Sequence, residues 1–506
     1  MKRKTQSPAS LSVCVLASLA AAFASAATYD VSTVDDLSDA AARAKRGDVI
    51  RVAAGTYMLS ATVDVSNDGV SMVSAGGKTD TVLDGGSAIR ILDVSGADFR
   101  VEGITFRNGR TTGNGGAIRY SSSSVSQTTV VKDCDFIDCV AKYGGAIYAG
   151  QNSYASFLPR ENYGVVSGCT FLRCGIDSTG TSDSQGGGGG ICGALWVEDS
   201  VFDACFCTTH NVQEYHLAID VPSYTTITNC IFRNHTNITR GLVGSKEQRE
   251  QLGCARLVDC LIANNTSTGP DDVLFHRKVI LDRCVISNNA STVTSAISSL
   301  YRLDATGDRG FSRATSCLFV DNQYPFNMAN LPPILNCTFV RNVGGLACDY
   351  TESLKFAITN CVFWGNTAKA DWPFNASYKG APGLYWHPNT QLQDFARLAN
   401  VVIDGGNENA DVAGVLATDS SGRSTQLTAA AAANGPGFKD AASGDWTLHR
   451  VSVLVDAGVL QDWMAAACDL AGNLRCLLDG RKAPSAVPDI GCYEYRSMAG
   501  FAIRMR

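Results

Sequence analysis

The sequence predicts an all-β fold, a right-handed single-stranded parallel β-helix with an N-terminal helical cap and a small C-terminal region. The main observation is a nine-residue signature that recurs nine times in register between about residues 131 and 366. Apolar and polar residues alternate within each copy, which is the period of a strand. The composition agrees, because 49 glycines and only 18% charged residues suit strands linked by many turns better than long surface helices.

Eight of the nine copies of the signature carry a cysteine. Every copy has a large apolar residue two positions after the cysteine position, and the later copies have an asparagine five positions after it. Ser200 takes the place of the cysteine in the third copy. Successive copies lie 20 to 35 residues apart, about one coil of a β-solenoid with loops inserted at the turns. The cysteines are Cys134, Cys169, Cys230, Cys260, Cys284, Cys317, Cys337 and Cys361. The asparagines are Asn265, Asn289, Asn322, Asn342 and Asn366.

Stacking explains why the same residue types return. In a parallel solenoid each residue lies about 4.8 Å above its equivalent in the coil below, so a column of identical side chains shares one environment. The cysteine and the apolar residue, two positions apart on a strand, both point inward. The asparagine falls where the chain turns, and its amide can hydrogen-bond up and down the stack. We therefore predict structural ladders of cysteine, phenylalanine and asparagine.

A glycine-rich step follows several copies: Gly115-Gly-Ala-Ile118, Gly144-Gly-Ala-Ile147 and Cys192-Gly-Ala-Leu195 are each predicted to start the next strand. Together with the Phe-x-x-Asn steps, these residues resemble the repeats of polymorphic outer membrane proteins and the wider pectin-lyase-like β-helix superfamily, over residues 100–370. Enzymes of that superfamily degrade acidic polysaccharides. The resemblance implies calcium held by carboxylates, plus a Lys or Arg base, in lyases and paired carboxylates in hydrolases.

Residues 1–26 read as an export signal. Lys2, Arg3 and Lys4 precede an apolar stretch, and Ala24-Ser25-Ala26 offers a cleavage site. The mature chain is expected to be secreted or to lie at the cell surface, in the medium, the periplasm or the outer membrane. Residues 27–109 are predicted to form the N-terminal cap and the first coils, with helical spacing from Val34 to Arg43.

The rest of the chain divides at a change of pattern. Residues 110–366 are the repeats, and 367–434 are interpreted as last coils with aromatic-rich loops. Residues 435–495 contain Asp469, Gly472, Arg475 and Asp489 in a series similar to the tail of bacterial surface proteins called choice-of-anchor Q domains. Residues 496–506 form a tail. The resemblance leaves attachment and release equally open.

The 19 cysteines admit three interpretations: disulfides, metal ligands or core residues. Because a metal needs ligands that converge on one point and these columns run in lines, reduced core thiols are favoured for the ladder. A disulfide between Cys139 and Cys174 remains open if their coils are adjacent. Cys468, Cys476 and Cys492, which lie off the ladder, are better disulfide candidates.

Aromatic residues crowd the end of the repeats and give the candidate binding site. Exposed rings can stack on the apolar faces of sugars, and the alternative is a hydrophobic lid over the last coil. The candidates are Trp364, Trp372, Tyr378, Tyr385 and Trp386.

Two functions remain open. The first is a non-catalytic, adhesin-like protein whose partner is a polysaccharide or another cell-surface component. The second is a polysaccharide lyase or glycoside hydrolase acting on acidic polysaccharide, with calcium required only in the lyase case. No other cofactor and no metal site is predicted. The densest charged match, Asp271-Asp272 with His276, Arg277 and Lys278, is interpreted as a solvated loop, so catalytic residues stay unassigned.

Charge and hydropathy exclude other partners. The formal charge of −6 would become −9 once the three basic residues of the signal were removed, and the remaining basic residues are scattered. Nucleic acid is therefore not expected as a partner. No further segment is long and apolar enough to predict a transmembrane helix.

Overall fold

The protein is a right-handed parallel β-helix, which confirms the predicted fold class. Three long sheets, here called A, B and C, run along its axis, and successive coils add strands to them in turn, with sheet C ending before the last coils. The computed structural model describes residues 26–121, 125–150, 157–177, 187–208, 217–221, 224–236, 238, 241–244, 255–267, 275–276, 279–291, 301–302, 313–323, 326–328, 333–344, 346–348, 356–367, 379–381, 383–386, 396–404, 435–475 and 487–496.

Sheets A and B run nearly the whole length of the described solenoid, with 14 and 13 described strands. Sheet A is formed by Thr28–Val31, Val49–Val52, Ser71–Ser74, Arg100–Glu102, Val130–Lys132, Val165–Ser167, Trp196–Glu198, Thr225–Thr228, Ala255–Val258, Val279–Asp282, Arg313–Thr315, Ile334–Leu335, Phe356–Thr359 and Ala396–Ala399. Sheet B is formed by Gly55–Met58, Thr81–Asp84, Thr105–Arg107, Asp135–Ile137, Thr170–Leu172, Val201–Asp203, Ile231–Arg233, Leu261–Ala263, Val285–Ser287, Leu318–Val320, Thr338–Val340, Val362–Trp364 and Val402–Ile403.

The third face is sheet C in the first two-thirds of the solenoid and a smaller sheet in the last coils. Sheet C is formed by Val63–Val65, Leu92–Val94, Ile118–Tyr120, Ile147–Tyr148, Ile191–Cys192, Ile219–Asp220, Val243–Gly244, Phe275–His276 and Tyr301–Arg302. The smaller sheets are Val140–Ala141, Gly175–Ile176 and Phe206–Cys207; Thr266–Ser267 and Ala290–Ser291; Phe326–Met328, Leu346–Cys348, Leu384–Trp386 and Lys379–Ala381; and Phe438–Asp440 with Asp445–Leu448. The described helices are the α-helix Val34–Arg43 and the 3₁₀ turns Arg160–Asn162 and Asp462–Ala466.

The α-helix Val34–Arg43 lies across the first strands and buries Leu37, Ala40 and Ala41 against them. Its first turn is capped by Thr33, whose hydroxyl accepts a hydrogen bond from the backbone N–H of Asp36 at 3.1 Å. The helix matches the predicted N-terminal cap and covers apolar ends of the core that a solenoid would otherwise expose.

The large apolar residue of the signature forms a continuous stack inside the solenoid. Neighbouring aromatic rings lie 4.5–5.1 Å apart between centroids and within 3–7° of parallel. Ile262 and Ile286 continue the column between two phenylalanine runs, and Ile403 follows it at the last coil. The phenylalanines are Phe106, Phe136, Phe171, Phe202, Phe232, Phe319, Phe339 and Phe363.

Two left-handed residues bend each coil of the repeats, one directly before the cysteine position and one directly before the asparagine position, most with φ between 49° and 59°. Asparagine and aspartate tolerate this conformation best, which is why they dominate these corners. Arginine is unusual there. Arg283 and Arg341 are each held by two hydrogen bonds to the aspartate one coil below, Asp259 and Asp321.

The asparagines named from the sequence hydrogen-bond to one another in coil order. Each side-chain oxygen from Asn289 onward accepts from the backbone N–H and the amide of the asparagine below, at 2.9–3.0 Å. Each amide also donates to a backbone carbonyl of the coil below, such as Asn322 to Ile286 at 2.7 Å. Every member is buried, so the ladder satisfies backbone groups that water cannot reach.

The thiols of the signature cysteines are buried and free, and each donates to the carbonyl two residues earlier, as Cys134 does to Lys132 at 3.2 Å. Burial raises the pKa of Cys205 to about 12, which keeps that thiol protonated and unreactive. Cys139 and Cys174 are free and donate to the carbonyls of Phe106 and Phe136. Of the three off-ladder candidates, Cys468 and Cys492 are also free, and Cys476 lies outside the described residues.

The glycine-rich step is in register only for two of the three segments proposed from the sequence. Ile118 pairs with Ile147, and Ile147 pairs with Ile191, which follows Gly188-Gly-Gly190, and not with Leu195. The interpretation of Cys192-Gly-Ala-Leu195 as a strand start was therefore wrong. Those residues end the sheet C strand and lead into sheet A, because the run of five glycines upstream supplies the corner instead.

His235 lies five residues after Cys230, in the column that contains Cys205 in the coil before and Asn265 in the coil after. Its Nδ1 donates to the side-chain oxygen of Asn265 at 2.9 Å, and its buried Nε2 has no hydrogen-bond partner. A proton on Nε2 would place an unpaired charge in the core, so burial lowers the pKa of His235 to about 4.

We expect this histidine to make the protein sensitive to acid. The unfolded chain takes up the proton near pH 6.5 and the folded chain only near pH 4, so stability is full above pH 6.5 and about 3 kcal/mol is lost as pH falls to 4. His235→Asn should extend the ladder and remove this loss, as measured by urea unfolding at pH 7 and pH 4.5. His449→Asn, at an exposed position, is the matched control. Equal acid sensitivity in wild type and His235→Asn would refute the assignment.

The C-terminal segment, residues 435–475 and 487–496, packs on the outer face of sheet B. Phe438, Trp446 and Ile490 lie against outward residues of the last coils such as Val340 and Val362. Corner side chains of the same coils fix its backbone. Their amides donate from Asn336 to Asp489 O at 3.2 Å, from Asn360 to Val459 O at 2.9 Å and from Asn400 to Ala457 O at 2.6 Å.

Candidate functional site

The outer face of sheet A carries a tryptophan that lies beside a carboxylate and a guanidinium. Its central residues point inward, so the residues before and after them form two outward columns. One column includes Arg256, Ile280 and Arg313 in register. The other runs through Glu198, Thr228, Val258, Asp282 and Thr315.

Trp196 lies at the start of this region, half-buried, with its ring on the outer face. Its indole N–H donates to Glu198 at 3.0 Å, and Arg160 holds the same carboxylate through two nitrogens. The Arg160 guanidinium keeps the pKa of Glu198 below its usual range, and Glu198 in turn raises the pKa of Arg160. The three side chains therefore present a ring, a fixed carboxylate and a fixed cation side by side.

Residues 157–163 cross the same face as a strap. The ring of Phe157 packs edge-on against Tyr224 at 5.2 Å, and Tyr224 and Ile280 form a small apolar cluster beneath it. The buried hydroxyl of Tyr163 donates to the carbonyl of Tyr224 at 3.1 Å. The strap thus fixes Arg160 beside Glu198 and forms one wall of the candidate site.

Further along the axis, Arg256 donates to Asp282 at 3.1 Å, and Asp282 also faces Arg283 at 3.5 Å. Two polar atoms in this part of the face are buried and lack a partner: the Nε of Arg256 and the hydroxyl of Thr315. Such atoms cost about 1–3 kcal/mol each unless water or a ligand meets them. The protein itself leaves both atoms unsatisfied, so a water or ligand hydroxyl that reached them would recover that cost.

The carboxylates of this column are too widely spaced to act as a pair. Glu102 and Glu198 are three coils apart, and Glu198 and Asp282 are again three coils apart. At about 4.8 Å per coil the backbone separation is about 14 Å. The two carboxyl groups of a glycosidase lie about 5–9.5 Å apart.

The aromatic candidates chosen from the sequence lie elsewhere. Trp364 is half-buried on sheet B and packs against the C-terminal segment, where a Cβ on Gly435 would come within 2.7 Å of its Nε1. Trp372 and Tyr378 lie outside the described residues. Tyr385 and Trp386 belong to the strand Leu384–Trp386, which pairs with Leu346–Cys348, and their side chains lie outside the described part of the chain.

Of the charged loop, only the backbone of His276 is described, in a sheet C strand, and 271–272 and 277–278 lie outside the described residues. Within the described part of the chain, no group of three or more His, Cys, Asp or Glu side chains is arranged to hold a metal ion. No helix of the described residues is long and apolar enough to cross a bilayer.

The sequence contains a signal for Trp196 that local crowding does not reveal. Val197 is the inward residue of the third copy, so the residue before it must point outward. Trp196 could have been found by listing the residues predicted to point outward on each strand. A search for aromatic residues clustered in the sequence does not find it.

A second charged cluster lies in the C-terminal segment. The guanidinium of Arg475 is fully buried, donates to Glu494 at 2.7 Å and reaches Ser316 of the solenoid at 3.0 Å. Burial raises the pKa of Glu494 to about 9, against the opposing effect of Arg475. Asp469 and Asp489 accept backbone N–H groups from Glu494 and Tyr495.

A recess beside this cluster has room for about 10 Å³, roughly one water molecule. The cluster therefore fastens the segment and offers no room for a sugar.

No protein-family model matches the chain, and no curated protein matches it. Among solved structures it is similar to a family 6 polysaccharide lyase from Pseudopedobacter saltans, with 12% identity, 76% of this chain and 94% of that chain covered, and a TM-score of 0.37. It is similar to a mannuronic-acid-specific family 6 lyase from human gut microbiota, with 11% identity, 78% and 96% covered, and a TM-score of 0.32. A pectate lyase is similar at 10% identity, with 93% and 96% covered and a TM-score of 0.33.

Proposed function

We propose that this chain is a secreted or cell-surface β-helix protein that binds a glycan along the outer face of sheet A without cleaving it. The observation that carries the proposal is the half-buried Trp196 ring, held beside Glu198 and Arg160. An aromatic face stacks on the apolar face of a sugar, and a neighbouring carboxylate and guanidinium accept from and donate to its hydroxyl groups.

The chemistry of the face supports binding over cleavage. A general acid needs a raised pKa, whereas Arg160 lowers the pKa of Glu198. A β-elimination base needs an available lone pair, whereas Glu198 raises the pKa of Arg160 and keeps it charged. The spacing of about 14 Å between carboxylates of the column likewise disfavours a hydrolase.

The predicted export signal and the resemblance of residues 435–495 to choice-of-anchor Q tails support a location outside the cell. In that proposal the repeats, similar to those of polymorphic outer membrane proteins, form a long rigid stalk with a binding flank. Its partner is a polysaccharide or another cell-surface component.

Replacing the Trp196 ring should weaken binding. We expect Trp196→Ala to weaken retardation in a polysaccharide affinity gel by at least about tenfold, because stacking aromatic residues dominate such interfaces. The gel would contain each polymer of a neutral and acidic panel, with and without calcium. New reducing ends and the absorbance of unsaturated products would be followed in parallel.

Trp463→Ala is the matched control, since Trp463 is also half-buried but lies in the C-terminal segment. Equal retardation of wild type and Trp196→Ala would move the site away from sheet A. Product formation that survives repurification would replace the binding proposal with an enzymatic one.

A further inference from the structure

We infer that the glycan bound by the sheet A face is neutral and is recognised through its hydroxyl groups, not through carboxylate or sulfate charge. This inference rests on the proposed function and specifies its ligand. It follows from two features of the face: most of its charged side chains form ion pairs within the protein, and two buried polar atoms have no hydrogen-bond partner.

The cations near the site are already paired with carboxylates of the same protein. Lys132 pairs with Glu102 at 2.6 Å, and Arg160 with Glu198 at 2.8 Å. Arg256 pairs with Asp282, and Arg283 with Asp259 at 2.7 Å. Each further anion on a polymer would have to displace one of these partners or lie beside it, and like charges placed together are unfavourable.

Two more arginines lie on the face, but their positions do not suit a polyanion. Arg100 and Arg313 are exposed and stand seven coils apart, a separation of about 34 Å at 4.8 Å per coil. An acidic polysaccharide that carries a charge on each sugar would meet these two cations only at the ends of the site. Between them it would pass the carboxylates of Glu198 and Asp282.

Those carboxylates face the ligand as acceptors. The side chains of Glu198 and Asp282 are 16% and 13% exposed, and each is held rigid by its arginine. A carboxylate beside a guanidinium accepts from one sugar hydroxyl and leaves the neighbouring donor for another. A second carboxylate, on a uronic acid, has no proton to offer them.

The unpartnered atoms fit the same chemistry. The Nε of Arg256 can only donate, whereas the hydroxyl of Thr315 can donate and accept. They lie two coils apart, on either side of the Asp282 coil. At about 4.8 Å per coil their backbone positions are about 10 Å apart, so hydroxyl groups on different sugars of one chain satisfy both. A hydroxyl accepts from Arg256 with its oxygen and donates to Thr315 or Asp282 with its proton.

The test compares polygalacturonate with the same polymer after chemical reduction of its carboxyl groups, by isothermal titration calorimetry of the full chain at low and high salt. We expect the reduced, neutral polymer to bind at least about tenfold more tightly, with little effect of salt. Xylan and mannan extend the neutral arm, and alginate extends the acidic arm.

Two variants locate the effect. Thr315→Val should weaken binding of the neutral polymer about tenfold, because the isosteric change removes only the hydroxyl. Thr170→Val, the same change at a half-buried position on sheet B, should leave it unchanged.

The outcomes separate this inference from the function on which it rests. Tighter, salt-sensitive binding of the acidic polymer, or equal binding of both, would overturn the neutral assignment while leaving a glycan-binding face in place. Loss of binding in Trp196→Ala together with an acidic preference would overturn it in the same way. If no polymer of either arm binds, the proposed function itself fails.

Discussion

Replacing Arg475 by methionine is expected to lower the free energy of unfolding by about 3–5 kcal/mol, the usual cost of removing one partner of a buried ion pair. Arg475 is the buried cation among Glu494, Asp469 and Asp489, and it also ties the segment to Ser316 of the solenoid. Without it, three carboxyl groups face one another in a site from which water is largely excluded. Urea unfolding followed by tryptophan fluorescence measures the change.

The loss should depend on pH in a defined direction. Because burial raises the pKa of Glu494 to about 9 and Arg475 opposes that rise, Arg475→Met should raise this pKa further, so the deficit should grow as pH rises toward and beyond 9. Arg450→Met is the matched control, since Arg450 is exposed on the same segment and should change stability by no more than about 0.5 kcal/mol. A deficit below about 1 kcal/mol at pH 7 would mean that the cluster does not fasten the segment.

The core of the solenoid could be predicted from the sequence because equivalent residues of successive coils lie in the same environment. A residue two positions after the cysteine always meets the same neighbours, so Phe136 and Phe363 follow one rule. Phe106 and Ile403, near the two ends of the column, were missed because their coils lack the cysteine and carry Ile104 and Val401 in its place. The stack tolerates that exchange, whereas a search for the cysteine does not.

The position of the C-terminal segment could not be predicted, although part of its signal is visible. In the late sheet B strands Leu318–Val320 and Val362–Trp364 both outward residues are apolar, whereas earlier strands such as Asp135–Ile137 and Ile231–Arg233 carry one polar outward residue. Apolar residues at outward positions require a cover. Which segment supplies it depends on contacts between residues more than 100 positions apart, and no local pattern records those.

The candidate site was misplaced for a related physical reason. Aromatic crowding in sequence favoured Trp364, but that ring packs against the C-terminal segment. Trp196 stands alone in its stretch of sequence, and its partners Arg160 and Tyr163 come from a different coil. A site assembled across coils leaves its residues about 20 to 40 positions apart, so only the fold brings them together.

Replacing Asn322 by aspartate should lower the free energy of unfolding by about 3–5 kcal/mol at pH 7, although the two side chains have the same shape. The amide of Asn322 donates to Ile286 O at 2.7 Å and to Asn342 at 3.0 Å. A carboxylate would turn both hydrogen bonds into contacts between two acceptors. It would also place an unpaired charge in the buried interior of the stack.

Asn264→Asp is the matched control, because Asn264 is a neighbouring corner residue, exposed, whose side-chain oxygen accepts from Asn288. That change should cost no more than about 0.5 kcal/mol, since an aspartate keeps the acceptor and suits the left-handed backbone. In Asn322→Asp, burial should raise the pKa of the introduced carboxyl group, so the deficit should lessen at low pH as that group takes up a proton and regains one donor. Equal effects of Asn264→Asp and Asn322→Asp would show that the buried asparagine column does not stabilise the stack.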